Sequence, residues 1–248
     1  MHNFEITAEE LWKCIIILTI SCYNERPQYR MYWSKKEDVE CQLIAQLLSR
    51  NRFDLLKSML HACDNNKLDP IDKWSKLRPL IDLANKNLKQ FGINNRFLSI
   101  DEQIVPYYGH HRCKMYHREK PIRFGFQFWV MATSDGTPIH FEPYQGRERE
   151  QQKEPLGTRV VKECVQHIQN PEQHVVLFDN LFCSLPLLEH LRERNTKALG
   201  TLRSNRLQDC PLPSVKEVAK ENRGFSKTAS CHDLCVTRYR DNSVVTMA

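Results

Sequence analysis

Hydrophobic positions recur at two different periods along this chain, and the change falls near residue 96. Before it the spacing is helical. The apolar run Cys14 to Ile20 is preceded by Thr7 and, three residues on, by Glu10, the two halves of a capping box, which predicts a buried helix starting after Thr7. A turn around Asn24 to Pro27 and the aromatics Tyr29, Tyr32 and Trp33 follow. Helical periodicity then predicts helices over about Lys36 to Leu48 and about Arg52 to Ala62. Asp64-Asn65-Asn66 and Asp69-Pro70 punctuate a loop. A further helix puts Trp74, Leu77, Leu80, Ile81, Ala84, Leu88 and Phe91 on one face and stops at Gly92.

From residue 97 the pattern is that of strands. Phe97 to Val105 is the first. Arg123 to Thr133, with Phe124, Phe126, Phe128 and Val130 alternating with small or polar residues, is the second. Thr137 to Tyr144, after the Asp135-Gly136 turn, is the third. A polar linker from Gln145 to Glu154 leads to a helix of about Leu156 to Ile168, a strand His174 to Asn180, a helix of about Ser184 to Arg194 and a strand Lys197 to Leu202. Three antiparallel strands followed by alternating helix and strand predict an α/β fold with a mixed sheet and helices on its faces. The order of elements is that of a ribonuclease H-like fold. The expected organisation is a helical region over 1–95, the ribonuclease H-like core over 96–206 and the start of a β region over 207–248.

Two of these apolar strands carry an acid at or near their end, Asp101 and Asp179. An ionised carboxylate on a buried strand costs several kcal/mol unless it is paired, hydrogen-bonded or bound to a cation. Side by side at the rim of one sheet the two would repel, and a hard divalent ion between them would relieve the repulsion. The alternative is that Asp101 caps a strand end and Asp179 is the N-cap of the following helix, both inert.

Composition narrows the field only a little. At 248 residues, 41% of them hydrophobic, the chain can bury a sizeable core, and a net charge of +6 suits nucleic acid without requiring it. The ten cysteines are scattered singly, without the paired spacing of a zinc site or a disulfide framework, and read as reduced structural thiols. Cys183, just after Asp179, is a weak nucleophile candidate with no histidine standing out as its base. The N-terminal apolar run is preceded by Glu5, Glu9 and Glu10 against Lys13, unlike a signal peptide, and is shorter than the roughly 20 residues a membrane span needs, so no membrane association is expected.

Between the first two strands, Pro106 to Arg123 carries Arg112, Lys114, Arg118, Lys120 and Arg123 against Glu119 alone, interleaved with Tyr107, Tyr108, Tyr116 and three histidines. Cations mixed with aromatics beside an acid site suit a phosphate backbone; a solvated hairpin is the plain alternative.

Several motifs carry a resemblance. Ser99-Ile100-Asp101-Glu102-Gln103, Arg118-Glu119-Lys120-Pro121 leading into Gly125-Phe126, Tyr144-Gln145-Gly146, Phe178-Asp179-Asn180-Leu181-Phe182-Cys183-Ser184 and Gly200-Thr201-Leu202-Arg203-Ser204-Asn205-Arg206 stand in order. So do Tyr32-Trp33-Ser34, Ser49-Arg50-Asn51-Arg52-Phe53 and Arg78-Pro79-Leu80 in the helical part. Together they resemble the successive motifs of the piggyBac transposase family and its transposon-derived relatives. The resemblance implies a DDE-type catalytic core, in which three aspartates hold two Mg²⁺ ions and DNA is cut and rejoined at transposon ends. Asp101 matches the first aspartate and Asp179 the second. In the family the third follows an inserted set of strands. Cys235 to Val245 resembles those strands, and Asp241 reads as hairpin-turn chemistry and not as that ligand. Two acids of three should bind Mg²⁺ weakly, so the expectation is a truncated core, inactive alone. Arg112, Lys114, Arg118, Lys120, Arg123 and Arg203 are the expected DNA contacts, DNA and a second copy of the chain (a homodimer) the expected partners, and the nucleus the expected location. A domesticated DNA-binding protein without catalysis and a non-functional fragment are the competing expectations.

Overall fold

The computed structural model describes residues 5–93, 95–146, 154–207 and 209–248. The Phe91 side chain and residues 147–153 of the expected linker lie outside that description. The chain divides into two compact units, Met1–Asn66 and Lys67–Ala248.

The first unit is built on three helices, α1 (Ala8–Ser21), α2 (Gln42–Leu47) and α3 (Arg50–Met59). The capping box forms at α1: the Glu10 N–H donates to Thr7 Oγ1 and the Thr7 N–H to Glu10 Oε2, each at 3.2 Å. Glu10 also accepts from Arg52 at 2.7 and 2.6 Å. These hydrogen bonds, that of Arg52 first, bring its carboxyl down to about 2. Cys14, Ile17 and Ile20 pack with Tyr32, Ile44, Phe53 and Leu56. Only that stripe is covered; Leu11, Ile15 and Ile16 are exposed and Trp12 is 65% exposed, so the helix expected to be buried is amphipathic, buried along one face.

The helix expected over Lys36 to Leu48 is shortened to α2. One turn closes where the Glu40 N–H meets the Lys36 carbonyl, but the Cys41 N–H then bonds the Tyr32 carbonyl instead of continuing the ladder. α3 starts two residues earlier than expected because Ser49 caps it, its Oγ accepting the Arg52 N–H.

The second unit opens with α4 (Arg78–Leu88) and continues through β1 (Phe97–Pro106), β2 (Met115–Tyr116), β3 (Phe124–Thr133), β4 (Pro138–Pro143), α5 (Leu156–Val165), β5 (Val175–Phe178), α6 (Leu185–Glu193) and β6 (Lys197–Gly200). α7 (Val215–Val218), β7 (Ser226–Cys231), β8 (Leu234–Arg240) and β9 (Val244–Met247) complete it. The described residues thus form seven α-helices, none long and apolar enough to cross a membrane. The main sheet runs β2-β3-β1-β5-β6, with β4 also paired to β3. β1 and β3 are antiparallel, while β1, β5 and β6 are parallel, so the sheet is mixed.

Strand alternation sorts the core. Leu98, Ile100, Trp129, Met131, Val176 and Phe178 share one face and pack with Val161 and Val165 of α5 and Leu187 and Leu191 of α6. On the other face Phe126 and Phe141 meet Trp74 and Ile81, with the Trp74 and Phe126 rings edge to face at 4.9 Å. The better-buried set of β3 is therefore Trp129 and Met131, not the Phe124 to Val130 set that the alternation suggested. A sheet covered on both sides leaves no polar face to mark the inside.

α4 differs from its expected face as well. Trp74 precedes it in a turn, Leu77, Leu80 and Leu83 are exposed, and Ile81 and Asn85 point inward. Asn85 is buried because its amide acts as a strand: Nδ2 donates to the Phe141 carbonyl at 2.8 Å and Oδ1 accepts the Phe141 N–H at 3.0 Å, closing the free edge of β4. At the other end Gly92, at φ 67°, takes the left-handed conformation that ends the segment. α5 stops at Val165, three residues short of the expected Ile168, and β5 and β6 are each trimmed to four residues.

β7, β8 and β9 form a second, antiparallel sheet. β2 was not expected, and β7 falls within the β region expected over 207–248 without having been placed as a strand. The second sheet reaches the first through an antiparallel bridge between Thr201 and Met247, flanked by Gly200 and Ala248 exchanging backbone bonds at 2.8 and 2.9 Å. Asp241 lies in the β8–β9 turn, ion-paired with Arg223 at 2.6 Å.

Candidate active site

Three parallel strands define the site. Their register aligns Ser99 with Leu177 and Leu199, and Ile100 with Phe178 and Gly200. The next residue of each is Asp101, Asp179 and Thr201, which therefore stand at one level on one face, with neighbouring strands about 4.8 Å apart. A shallow cleft of about 250 Å³ opens there, lined by these three residues together with Ser99, Leu199 and Met247. Gly200 is required behind it, because a Cβ there would lie 2.8 Å from the Phe178 ring and 2.9 Å from its carbonyl oxygen.

Neither acid is the cap considered above. Asp101 sits inside β1, opposite Val130, and not at a strand end. The residue at the N-cap of α6 is Ser184, not Asp179. The Asp179 carbonyl instead accepts the Phe182 and Cys183 N–H groups at 3.0 and 3.2 Å in the turn before α6. Its Oδ1 accepts the Asn180 N–H and, at 3.0 Å, the Thr201 hydroxyl.

The electrostatics follow from burial and from the crowding of acids. Burial and a hydrogen bond with Glu102 push the Asp101 carboxyl up to about 6. Glu102 is moved the other way: its bonds with Asp101 and Lys120 outweigh its own burial and hold it below the ordinary carboxylate range. Lys120 Nζ stands 2.6 Å from Glu102 Oε1, and that bond, helped by the charges of Asp101 and Asp179, raises the ammonium.

Segment 106–123 folds back so that β2 pairs with Phe124 and Gly125 of β3. Arg112, Arg118 and Arg123 are exposed on it; Lys114 is half-buried, its ammonium 5.9 Å from the centre of the Phe124 ring. No described hydrogen bond or ion pair joins these four to the two acids. Lys120 is the member of the basic set that turns toward them. Arg203 is exposed and donates from Nε to Asn180 Oδ1 at 2.8 Å. Arg206 donates to the carbonyls of Asn180 and Cys183 at 2.9 and 2.6 Å, pinning the turn that carries Asp179. Glu102, Thr201 and Arg206 were not singled out individually from the sequence; the signal available was their membership of the motifs around Asp101 and Gly200. Cys183 is fully buried and its thiol is pushed up to about 11, which removes it as a nucleophile. All ten cysteines are free.

The donor set suits a hard divalent cation as far as it goes: two carboxylates on adjacent strands, open to a cleft, with Asp101 raised by burial and by Glu102. Among the described residues no third histidine, cysteine or acid completes a metal-holding group.

Comparison with known proteins narrows what this two-acid cleft on a mixed sheet belongs to. Residues 1–248 match the family described as Transposase IS4. The chain is 39% identical to the human (Homo sapiens) PiggyBac transposable element-derived protein 3 over 249 aligned positions, covering 98% of this chain and 42% of that protein. It is 37% identical to the human PiggyBac transposable element-derived protein 2, with the same shares covered. Its fold is similar to that of the piggyBac transposase in a cryo-EM synaptic complex with hairpin DNA, at a TM-score of 0.77 and 25% identity over 98% of this chain and 52% of that one. The chain belongs to the piggyBac transposase family. It spans about two fifths of the length of these curated relatives.

Proposed function

We propose that the chain is part of a DDE-type DNA transposase core with a ribonuclease H-like sheet, in which Asp101 and Asp179 are catalytic residues and hold Mg²⁺. The observation that carries this is the shared level of the two acids on neighbouring parallel strands, in a chain of this family. When bound, the ion would polarise a phosphate and activate water or a 3′-hydroxyl for in-line displacement. The chain's own groups do the rest: Thr201 and Arg206 fix Asp179 and its turn, while Arg112, Lys114, Arg118, Lys120, Arg123 and Arg203 supply positive charge for a DNA backbone. That a solved relative was captured on hairpin DNA supports DNA as the partner. We keep the division into 1–95, 96–206 and 207–248, a homodimer and a nuclear location as parts of the same proposal.

With these two acids and, among the described residues, no third to join them, the proposal includes weak metal binding and no DNA cutting by this stretch of chain alone. Mn²⁺ titrated into the full chain and followed by electron paramagnetic resonance should show weak binding, reduced at least tenfold in Asp101→Asn and in Asp179→Asn. Equal binding in the three proteins overturns the metal assignment. Cutting of transposon-end DNA by the wild type with Mg²⁺ overturns the inactivity, and its survival in Asp101→Ala overturns the catalytic role. A second reading, a DNA-binding protein without chemistry, is favoured by one observation: exposed Arg112, Arg118 and Arg123 are not tied to the acids. Under it, DNA affinity survives Asp101→Asn and falls when those arginines are neutralised.

A further inference from the structure

Lys120 departs from the rest of the basic segment. Its side chain leaves the fold-back and ends 2.6 Å from Glu102, the residue covalently next to Asp101. The Glu102 N–H is itself bonded to Asp101 Oδ1 at 2.8 Å, so acid, backbone and ammonium form one connected group beside the cleft, joined to it through Asp101. Three carboxylates, Asp101, Glu102 and Asp179, pull on this one ammonium. The Glu102 side chain is 18% exposed and that of Lys120 45%, so the pair is sheltered at its acid end, next to Asp101, and open to solvent at the lysine.

We propose that Lys120 is a built-in counter-ion of the acid cleft, held there by Glu102, which competes with a divalent cation for Asp101 and Asp179. The inference rests on the reading of those two acids as metal ligands. A fixed positive charge near two carboxylates neutralises part of their repulsion without a metal, and it repels a divalent ion twice as strongly as a monovalent one. Binding of the cation then requires Lys120 to swing away. Its ammonium is thereby released toward solvent, where a phosphate of bound DNA could take it up. Metal and DNA should accordingly favour each other's binding, each relieving the same lysine.

The test uses the full chain and Mn²⁺ as the probe, with binding read by electron paramagnetic resonance and folding checked by circular dichroism. Lys120→Met removes the charge and keeps the aliphatic stem; Lys120→Arg keeps the charge. The expected result is about tenfold tighter Mn²⁺ binding in Lys120→Met and near wild-type binding in Lys120→Arg. The Lys120→Met/Asp179→Asn double variant should lose the gain. Unchanged or weaker binding in folded Lys120→Met overturns the proposal. If Asp179→Asn binds as the wild type does, the metal assignment fails instead, and a gain in Lys120→Met that persists in the double variant also counts against the cleft. Absence of binding in both wild type and Lys120→Met overturns both.

Discussion

At the scale of single residues, Thr201 and His140 carry separate consequences. The Thr201 hydroxyl is the side-chain donor described on Asp179, and both described donors converge on Oδ1. A second group that orients a ligand typically changes metal affinity by tenfold or more. Thr201→Val, which keeps the shape and removes the donor, should weaken Mn²⁺ binding roughly tenfold, while Thr201→Ser should restore most of it; equal affinity in the three proteins would refute the role. His140 acts on stability. It is buried, its ring centre is 3.8 Å from that of His167, and among the described residues neither ring nitrogen has a hydrogen-bond partner. Burial, then the charges of His167 and Lys89, push it down to about 4. In the unfolded chain the imidazole protonates near its ordinary 6.5, in the folded chain only near 4, so the unfolded state gains protons first as pH falls. Stability should therefore drop between about pH 6.5 and 4, by an order-of-magnitude 3 kcal/mol, and level off below. Urea unfolding of His140→Phe should show a flatter pH dependence in that window than the wild type.

At the scale of elements, the α4 contact with β4 shows how an edge strand is closed without another strand. Asn85 satisfies both the N–H and the carbonyl of Phe141. Asn85→Ala leaves two backbone groups at a half-buried edge without their partner and should cost about 1–3 kcal/mol, measured as a lower urea midpoint with an unchanged slope. Asn85→Asp offers an acceptor but no donor and should recover little. This contact explains why the hydrophobic pattern misplaced the α4 face: Leu77 and Leu80 fit a helical stripe, whereas the inward position at 85 is chosen by hydrogen bonding, which periodicity does not register. The same limit applies to β7. Ser226 to Ser230 is polar on both faces and largely exposed, so no alternation betrays a strand that exists by pairing with β8. Where one face alone meets a core, as at the Thr7 cap and α1, the pattern and the structure agree on the element and differ by a few residues at its ends.

At the scale of the whole molecule, the site divides in the same way between local and long-range information. Asp101 and Asp179 are legible because each interrupts an apolar run, and parallel pairing of those runs is enough to bring them level. The pairings of Lys120 and Thr201 are not legible, since reaching Glu102 depends on the fold-back of 106–123 and reaching Asp179 depends on the register of β6. The basic residues fall between: their number is plain in the sequence, but the structure separates Lys120 at the acids and Arg203 on Asn180 from the exposed Arg112, Arg118 and Arg123. That separation has a measurable consequence if DNA is the partner. Each cation that neutralises a phosphate releases a counter-ion, and the slope of log affinity against log salt changes by about 0.9 per contact on duplex DNA. Replacing Arg112, Arg118 and Arg123 together by Gln should therefore flatten the slope by nearly 3 units, with little change in the pH or metal response of the cleft. Lys120→Met should flatten it by up to about one unit, and only when Mn²⁺ is present, because the ammonium is held by Glu102 until a cation displaces it. A Lys120 contribution to the slope that is the same with and without metal would mean that the lysine is already free for the backbone, and that the cleft and the basic face act independently.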